Sequence, residues 1–341
     1  MISLAPSRAH RWINCPNSVY LEADAPKLPP SKYALDGIEA HGKAAAILSG
    51  KSSIENEPDN KMTNAVSKYV NRVLTLANGN KLSVEYLISL IYREKINLKG
   101  ILDCFFYDEK NKTAYILDFK YSYREQVAFK NWQLLSYAYL LGSKYTPDYY
   151  HLELISPLGL STWIASAIEM KDYYFQTLLN TMHSIYINDN LPTKSGEWCK
   201  YCAALATCPA IKSDIESAIV KEKEPSDIQI DDSKLGEELA LLTRLKNSID
   251  LRYEALYELV LSRIIGGVPI NNWGVSNGRS SLKWDDTKTE DIEKLGKLFN
   301  IDLQKPREFI TPTQSRDRGI PMSVLESYTI KNPGKLKLIR T

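Results

Sequence analysis

Two apolar runs rich in β-branched and aromatic residues, INLKGILDCFFY (96–107) and TAYILDFKY (113–121), are separated by only five polar residues, Asp108 to Lys112. So short a polar link between two such runs reads as a β-hairpin. With the turn centred near Lys110 and Asn111, Asp103 falls directly opposite Asp118. Side chains alternate between the faces of a strand, so Ile101, Asp103, Phe105, Ile116, Asp118 and Lys120 are expected on one face. Leu102, Cys104, Phe106, Tyr115, Leu117 and Phe119 form the other, a surface that must be covered. Two carboxylates facing each other on an otherwise apolar surface repel, and they are costly to bury without a counter-charge. A cation between them resolves both problems, and oxygen-rich sites of this kind suit Mg²⁺ or Mn²⁺. Lys120, two residues beyond Asp118, can hold a water or stabilise charge developing on a phosphoryl group. The same spacing also describes an ordinary Asp–Lys pair on a solvated hairpin.

Around the hairpin, helices are predicted over 37–48 (Ala-rich), 62–77 (ending at Asn78-Gly79), 129–142 and roughly 172–187, with further strands over 84–92, 149–156 and 160–170. Helices interleaved with strands in this way predict an α/β fold, a mixed central sheet flanked by helices. The expected division is a core over 1–210, a linker over 211–232 and a helical and mixed extension over 233–341. The acidic, proline-containing stretch KEKEPSDIQIDD (221–232) marks that linker. Beyond it, Leu235, Leu239, Leu242, Leu245, Ile249, Tyr253, Leu256 and Val260 recur at helical spacing, as in a long helix or hairpin packing that stripe on the body. Four basic residues near the end, Lys331, Lys335, Lys337 and Arg340, read as a solvated tail.

A net charge of +2 selects no partner class. No apolar run approaches the ~18 residues of a membrane span, and the opening MISLAPSRAHRWINCP lacks the apolar middle of a signal peptide. The expectation is therefore a cytoplasmic protein without a membrane partner, whose cysteines are reduced. Four of the five are patterned: Cys199-x₂-Cys202-x₅-Cys208-Pro209, with Cys15-Pro16 far upstream. Four thiolates can take tetrahedral zinc or an iron–sulfur cluster. Cys104, on the strand face turned away from the carboxylates, is expected in the core.

Other residues bear on the hairpin site. Gly100, just before Ile101, would let a substrate or another backbone approach closely. Gln133 and Tyr137 lie at i and i+4, on one helix face. His41 sits on a helix of small residues, and imidazole suits Mn²⁺. Glu85, at the start of the first strand, is an accessory candidate.

Taken in order, G-x-x-x-H (37–41), G-I-x-D (100–103), D-F-K (118–120) and Q-x-x-x-Y (133–137) resemble the RecB-type branch of the PD-(D/E)XK nucleases. The resemblance implies a restriction-endonuclease-like core in which His41, Asp103 and Asp118 bind the metal, with the main-chain carbonyl of Phe119 as a further ligand. It makes Lys120 catalytic and puts Gln133 and Tyr137 against substrate. Leu102 stands where the family's name has proline, as in many RecB-like members. The one-plus-three cysteine pattern resembles the [4Fe–4S] site of AddB and of CRISPR-associated RecB-like exonucleases. It implies that Cys15, Cys199, Cys202 and Cys208 staple the two ends of the core through a cluster, with zinc as the alternative.

The resemblance covers about 1–210. The rest, with Trp273, Trp284 and TPTQ (311–314), resembles the tail of RecB-like proteins of phages and prophages. These are thought to supply a recombination exonuclease working with a single-strand annealing or single-strand-binding protein. The implied function is a Mg²⁺- or Mn²⁺-dependent DNA exonuclease that leaves 5′-phosphates. The alternatives are a DNA endonuclease, a trimming nuclease of CRISPR-adaptation type, or a catalytically dormant DNA-binding module. No oligomeric state is implied.

Overall fold

The computed structural model describes residues 1–26, 30–58, 60–188, 190–221 and 232–275. In chain order its elements are β1 (Ile2–Leu4), α1 (Ala9–Asn14), α2 (Ser18–Ala23), α3 (Lys32–Leu48), α4 (Lys61–Ala77), β2 (Ser83–Tyr92), β3 (Ile96–Asp108), β4 (Thr113–Phe119) and α5 (Trp132–Gly142). Then come β5 (Tyr149–Ser156), β6 (Gly159–Ser166), α6 (Ala167–Glu169), a π-helical stretch (Met170–Phe175), α7 (Gln176–Ile187), α8 (Pro209–Lys221) and α9 (Asp232–Ile265). The six strands form one mixed sheet flanked by helices, an α/β architecture.

The long strand β3 organises the sheet. Along one edge it pairs antiparallel with β2, from Tyr92 opposite Ile96 to Ser83 opposite Phe105. Its other edge is shared. β1 pairs parallel with residues 96–98, and β4 pairs antiparallel with residues 104–108. Between those two partners, residues 99–103 of β3 have no ladder neighbour on that side. β5 continues the sheet parallel to β4, and β6 closes it antiparallel to β5.

Caps explain where the flanking helices start and stop. The side chains of Ser31, Asn60 and Asn131 accept hydrogen bonds from the first turns of α3, α4 and α5. Asn78, at φ +43, ends α4 in the left-handed conformation. The cap at Asn131 explains why α5 begins three residues later than its periodicity suggests. Ser166 caps the next helix likewise and ends the strand predicted over 160–170.

Two buried layers cover the sheet. Val66, Tyr69, Val70, Val73 and Ala77 of α4, with Ala40 and Ala44 of α3, pack on Cys104, Phe106, Leu117 and Phe119. The opposite layer joins Phe105 and Ile116 to Trp12, Leu134, Tyr137, Leu141, Leu178 and Met182. Each large side chain so buried contributes about 1.5–3 kcal/mol. The expected alternation of faces therefore holds from Cys104 onward, but Leu102 packs in the layer with Phe105 rather than with Cys104. The strand changes face at Asp103.

The C-terminal part differs from the reading of its periodicity. Helix α8 runs through the first half of the stretch read as a linker, with Ile211 buried; residues 222–231 lie outside the described residues. One compact unit, Met1–Val275, takes in α9. Among the described side chains of α9, Leu251 and Ala255 join the small apolar cluster of Cys199, Leu205, Cys208 and Ile211. Of the stripe expected to pack, Leu235, Leu239, Leu242, Ile249, Tyr253 and Leu256 are exposed, while Leu245 and Val260 are half-buried. The docking patch is smaller than the helix is long, so the face that meets it is set by Leu251 and Ala255. Trp273 is exposed beside an isolated bridge to Ile270. Trp284, residues 311–314 and the basic residues near the end lie outside the described residues. Among the described residues no helix is long and apolar enough to cross a membrane.

Gly100 lies where β3 has no partner on its β1/β4 edge, and a Cβ there would stand 2.8 Å from both Pro6 Cγ and Tyr137 Cε1. What approaches the glycine is therefore the protein's own proline and tyrosine. Gly100→Ala should cost about 1–3 kcal/mol through overpacking, read as a lowered urea midpoint. A change of midpoint within error would show that Pro6 and Tyr137 are free to move.

Candidate metal centre

The unpaired stretch of β3 is where the motif residues meet. Beyond Leu117 the β3–β4 ladder ends, and the Phe119 N–H, with no carbonyl of β3 to bond, donates to Asp103 Oδ2 at 2.7 Å. The Ile101 carbonyl accepts instead from the Tyr137 hydroxyl at 2.6 Å. Side chains thus replace main-chain partners on both sides of the gap, which meets the requirement that buried backbone groups be paired.

Asp103 turns its other oxygen to His41, with Nδ1 3.1 Å from Oδ1. His41 is held by α3, and its ring lies 5.4 Å from that of Phe119, which in turn stacks on Tyr69 at 4.8 Å. The third member is Glu85. Its neighbours Val84 and Tyr86 pair with Cys104 and Leu102, while Glu85 itself leaves the ladder opposite Asp103, at φ +49. A non-glycine residue in that conformation is strained and often marks a functional site. Donor atoms of His41, Glu85 and Asp103 lie within 4.8 Å of one another, the only such trio of His, Cys, Asp or Glu among the described residues.

Asp118 and Lys120 face α5. Gln133 Nε2 donates to Asp118 Oδ1 at 2.6 Å, and Gln133 Oε1 accepts from Lys120 Nζ at 2.9 Å. One amide thus holds both groups at once. Lys120 Nζ also lies 2.7 Å from Asp118 Oδ2, yet that buried oxygen meets hydrogen-bond geometry with no group among the described residues. The ammonium of Lys120 is thus the positive charge this oxygen meets.

Electrostatics ties the two halves together. Burial pushes Asp118 up to about 6 despite the ammonium of Lys120, with the Asp103 charge adding to the rise. Burial alone would lower Lys120 and His41, but Asp118 outweighs it for the lysine and Asp103 for the histidine, so both are raised. Glu85 is raised by lost hydration and by the Asp103 charge. Two carboxyl groups with raised affinity for protons stand beside a single buried ammonium, a site in which further positive charge would be favourable. His41, Glu85 and Asp103 form a donor set that suits a hard divalent ion, with imidazole favouring Mn²⁺. Asp118, expected as a ligand, lies outside that trio, though the charges of Asp103 and His41 act on it.

The other motif residues fall as follows. Tyr137 is buried and committed to Ile101 and Gly100, so it braces the strand rather than reaching outward. Burial, foremost, raises its pKa and keeps its hydroxyl a donor. The Phe119 peptide lies between Asp103 and Lys120. Glu85, an accessory on sequence grounds, belongs to the central trio; its only sequence signal was a carboxylate in an apolar strand. The same signal, Glu153 in YYHLELIS, marks a buried ion pair with Arg72.

Chain positions 15 and 199–208 also meet. Arg11 donates from Nε to the Trp198 carbonyl and from Nη2 to that of Lys200, and it pairs with Glu22, which accepts from Ala203 N. Cys15 Sγ accepts from Lys194 N at 3.5 Å, and Cys199 Sγ from Gly196 N at 3.4 Å. Burial foremost raises Cys199, and the adjoining Cys208 and Cys15 add to this; Cys202 is pushed up to about 11. No three of the four sulfurs lie within 4.8 Å of one another. One zinc, at Zn–S of about 2.3 Å, would hold them about 3.8 Å apart. Cys104 is fully buried.

Among solved structures, one titled "Crystal structure of SSO0001" aligns with 62% of this chain and 87% of its own, at 16% identity and a TM-score of 0.34. The family model described as "Protein of unknown function (DUF2800)" matches residues 2–340. With nearly its whole length matched, the chain belongs to the DUF2800 family.

Proposed function

We propose that this protein is a metal-dependent DNA exonuclease with a restriction-endonuclease-like, RecB-type core. The observation that carries the reading is the convergence of four separated motifs: His41 on Asp103, and Gln133 on both Asp118 and Lys120. A Mg²⁺ or Mn²⁺ ion would be held by His41, Glu85, Asp103 and Asp118. When bound, such an ion supplies acidification of water and polarisation of the phosphate. Lys120 stands ready to neutralise charge developing on the phosphoryl oxygens, or to hold the attacking water. Gln133 fixes its ammonium, and Tyr137 holds β3 in place at Ile101. Hydrolysis would leave a 5′-phosphate.

The four patterned cysteines would hold a [4Fe–4S] cluster. Two of their sulfurs, those of Cys15 and Cys199, accept main-chain N–H groups, and Cys199, Cys202 and Cys208 lie in an apolar setting. Its role would be to staple residue 15 to 199–208, since cross-links that close long segments stabilise most. Protein purified without oxygen should contain iron and acid-labile sulfide; a colourless protein with stoichiometric zinc would overturn the cluster and leave the nuclease reading standing. The nuclease reading is tested with end-labelled linear and closed circular DNA plus Mn²⁺. Progressive shortening of the linear DNA alone is expected. Nicking of the circle would make the enzyme an endonuclease, and no change would make it a dormant DNA-binding module. Single-strand annealing or single-strand-binding proteins are the partners that fit such an exonuclease.

A further inference from the structure

The segment between Lys120 and Gln133 is anchored at both ends by groups of the metal centre, and most of its large side chains face solvent. Tyr123, Val127 and Phe129 are each more than half exposed. Next to Lys120, the ring of Tyr121 lies 6.2 Å from that of Tyr123. Arg124 then donates from Nη1 to the hydroxyl of Tyr201 at 2.9 Å. Tyr201 comes from the other end of the sequence, between Cys199 and Cys202. Its backbone is left-handed, at φ +64, and it is 75% exposed. Lys200 Nζ stands 5.4 Å from the centre of the Tyr201 ring. At the Gln133 end, Lys130 Nζ stands 4.9 Å from the Phe129 ring, which rests edge-on against Trp163.

An exposed aromatic face is unfavourable in water unless something covers it. Here the rings alternate with cations, Tyr123 with Arg124, Tyr201 with Lys200, and Phe129 with Lys130. Apolar partners would not call for those cations, and an acidic protein would not call for the rings. An unpaired nucleotide strand needs both, because each base offers a π face and each phosphate a negative charge. A duplex keeps its bases stacked on one another and cannot use the rings. Glu125, exposed and next to Arg124, is the one carboxylate within the segment, set against Arg124 and Lys130; Asp36 and Glu39 approach Tyr121, and Glu39 is paired with Lys43.

We propose that Tyr201, Arg124 and Phe129 form a binding track for single-stranded DNA leading to Lys120, so that the cysteine loop is a substrate-binding element as well as a staple. This rests on the nuclease reading for its direction. The strained backbone at Tyr201 gives the loop a reason to be fixed, since the ring keeps its place only while Cys199 and Cys202 are held.

The test uses the full chain with its cysteine-bound group, in EDTA so that nothing is cut. Binding of a short fluorescein-labelled oligothymidine is followed by anisotropy. Tyr201→Ala and Phe129→Ala should each weaken it about 5- to 150-fold, and Tyr201→Phe, which keeps the ring, should weaken it by less. Arg124→Ala should lower the salt slope by about 0.7. An unchanged affinity in both alanine variants, with circular dichroism matching the parent, overturns the track. So does a parent that binds no strand, or that binds a blunt duplex equally well. Strand binding lost in these variants of a protein that never cuts DNA would leave the track standing and overturn the nuclease.

Discussion

Asp118→Asn and Lys120→Met should each lower the proposed Mn²⁺-dependent cleavage of linear DNA by on the order of a thousandfold, the scale seen when one group poised on developing charge is removed. Both changes preserve shape. Asparagine can still accept from Gln133 Nε2, and methionine fills the volume of the lysine stem, so the sheet should remain. What asparagine lacks is the second charged oxygen, the one at 2.7 Å from the ammonium. What methionine lacks is the cation that Gln133 Oε1 fixes. The readout is cleavage rate at saturating metal, alongside melting temperature and far-ultraviolet circular dichroism. Either purified variant cutting at the parental rate would remove the catalytic assignment.

The largest effect on stability is expected on the other side of the sheet. Glu153 is fully buried in β5, and Arg72 of α4 reaches it through Nε and Nη2, at 2.7 and 2.9 Å. His151 Nε2 at 2.9 Å and the Thr162 hydroxyl at 3.0 Å complete its shell. Burial alone would raise this carboxyl, but the bonds from His151 and Arg72 outweigh it and bring it down to about 2. Arg72→Ala leaves the charge without its partner and should cost about 3 kcal/mol, a fall of about 6–12 °C in melting temperature. Adding Glu153→Gln should recover most of the loss, because the buried charge goes with it. A loss below ~1 kcal/mol would place the Glu153 charge in contact with water. The folded-state value lies below the ordinary 4.5, so the ionised glutamate contributes stability above pH 4.5 and loses it as pH falls towards 2. The urea midpoint should fall across that window in the parent and less steeply in Glu153→Gln.

The strands and helices that position the centre were legible because polar residues stand out in apolar runs. Gln133, which spacing put only on one helix face with Tyr137, meets Asp118 and Lys120, and the β3–β4 register sets Cys104 opposite Leu117, as the expected turn requires. Tyr137 was harder to place. One helix face carries it and Gln133, but four residues rise about 6 Å. That rise takes Gln133 to the carboxylates and Tyr137 to the Ile101 carbonyl. Glu85 was underweighted because its entry depends on a left-handed backbone, which alternation cannot reveal. Leu102 changed layer for a related reason, since alternation assumes a regular ladder and the ladder is open at Asp103. The stripe of α9 misled because periodicity reports a helix and not which face finds a partner.

The shared edge of β3 also bears on the order in which the fold can be completed. β1 pairs with residues 96–98, Pro6 fills the space over Gly100, and Cys15 meets a loop near residue 200. The first fifteen residues thus find their partners only after about a hundred, and then about two hundred, further residues have been synthesised. During translation this segment must wait, solvent-exposed, for strands that do not yet exist. This edge of the sheet is therefore closed late, after the strands it completes have been made.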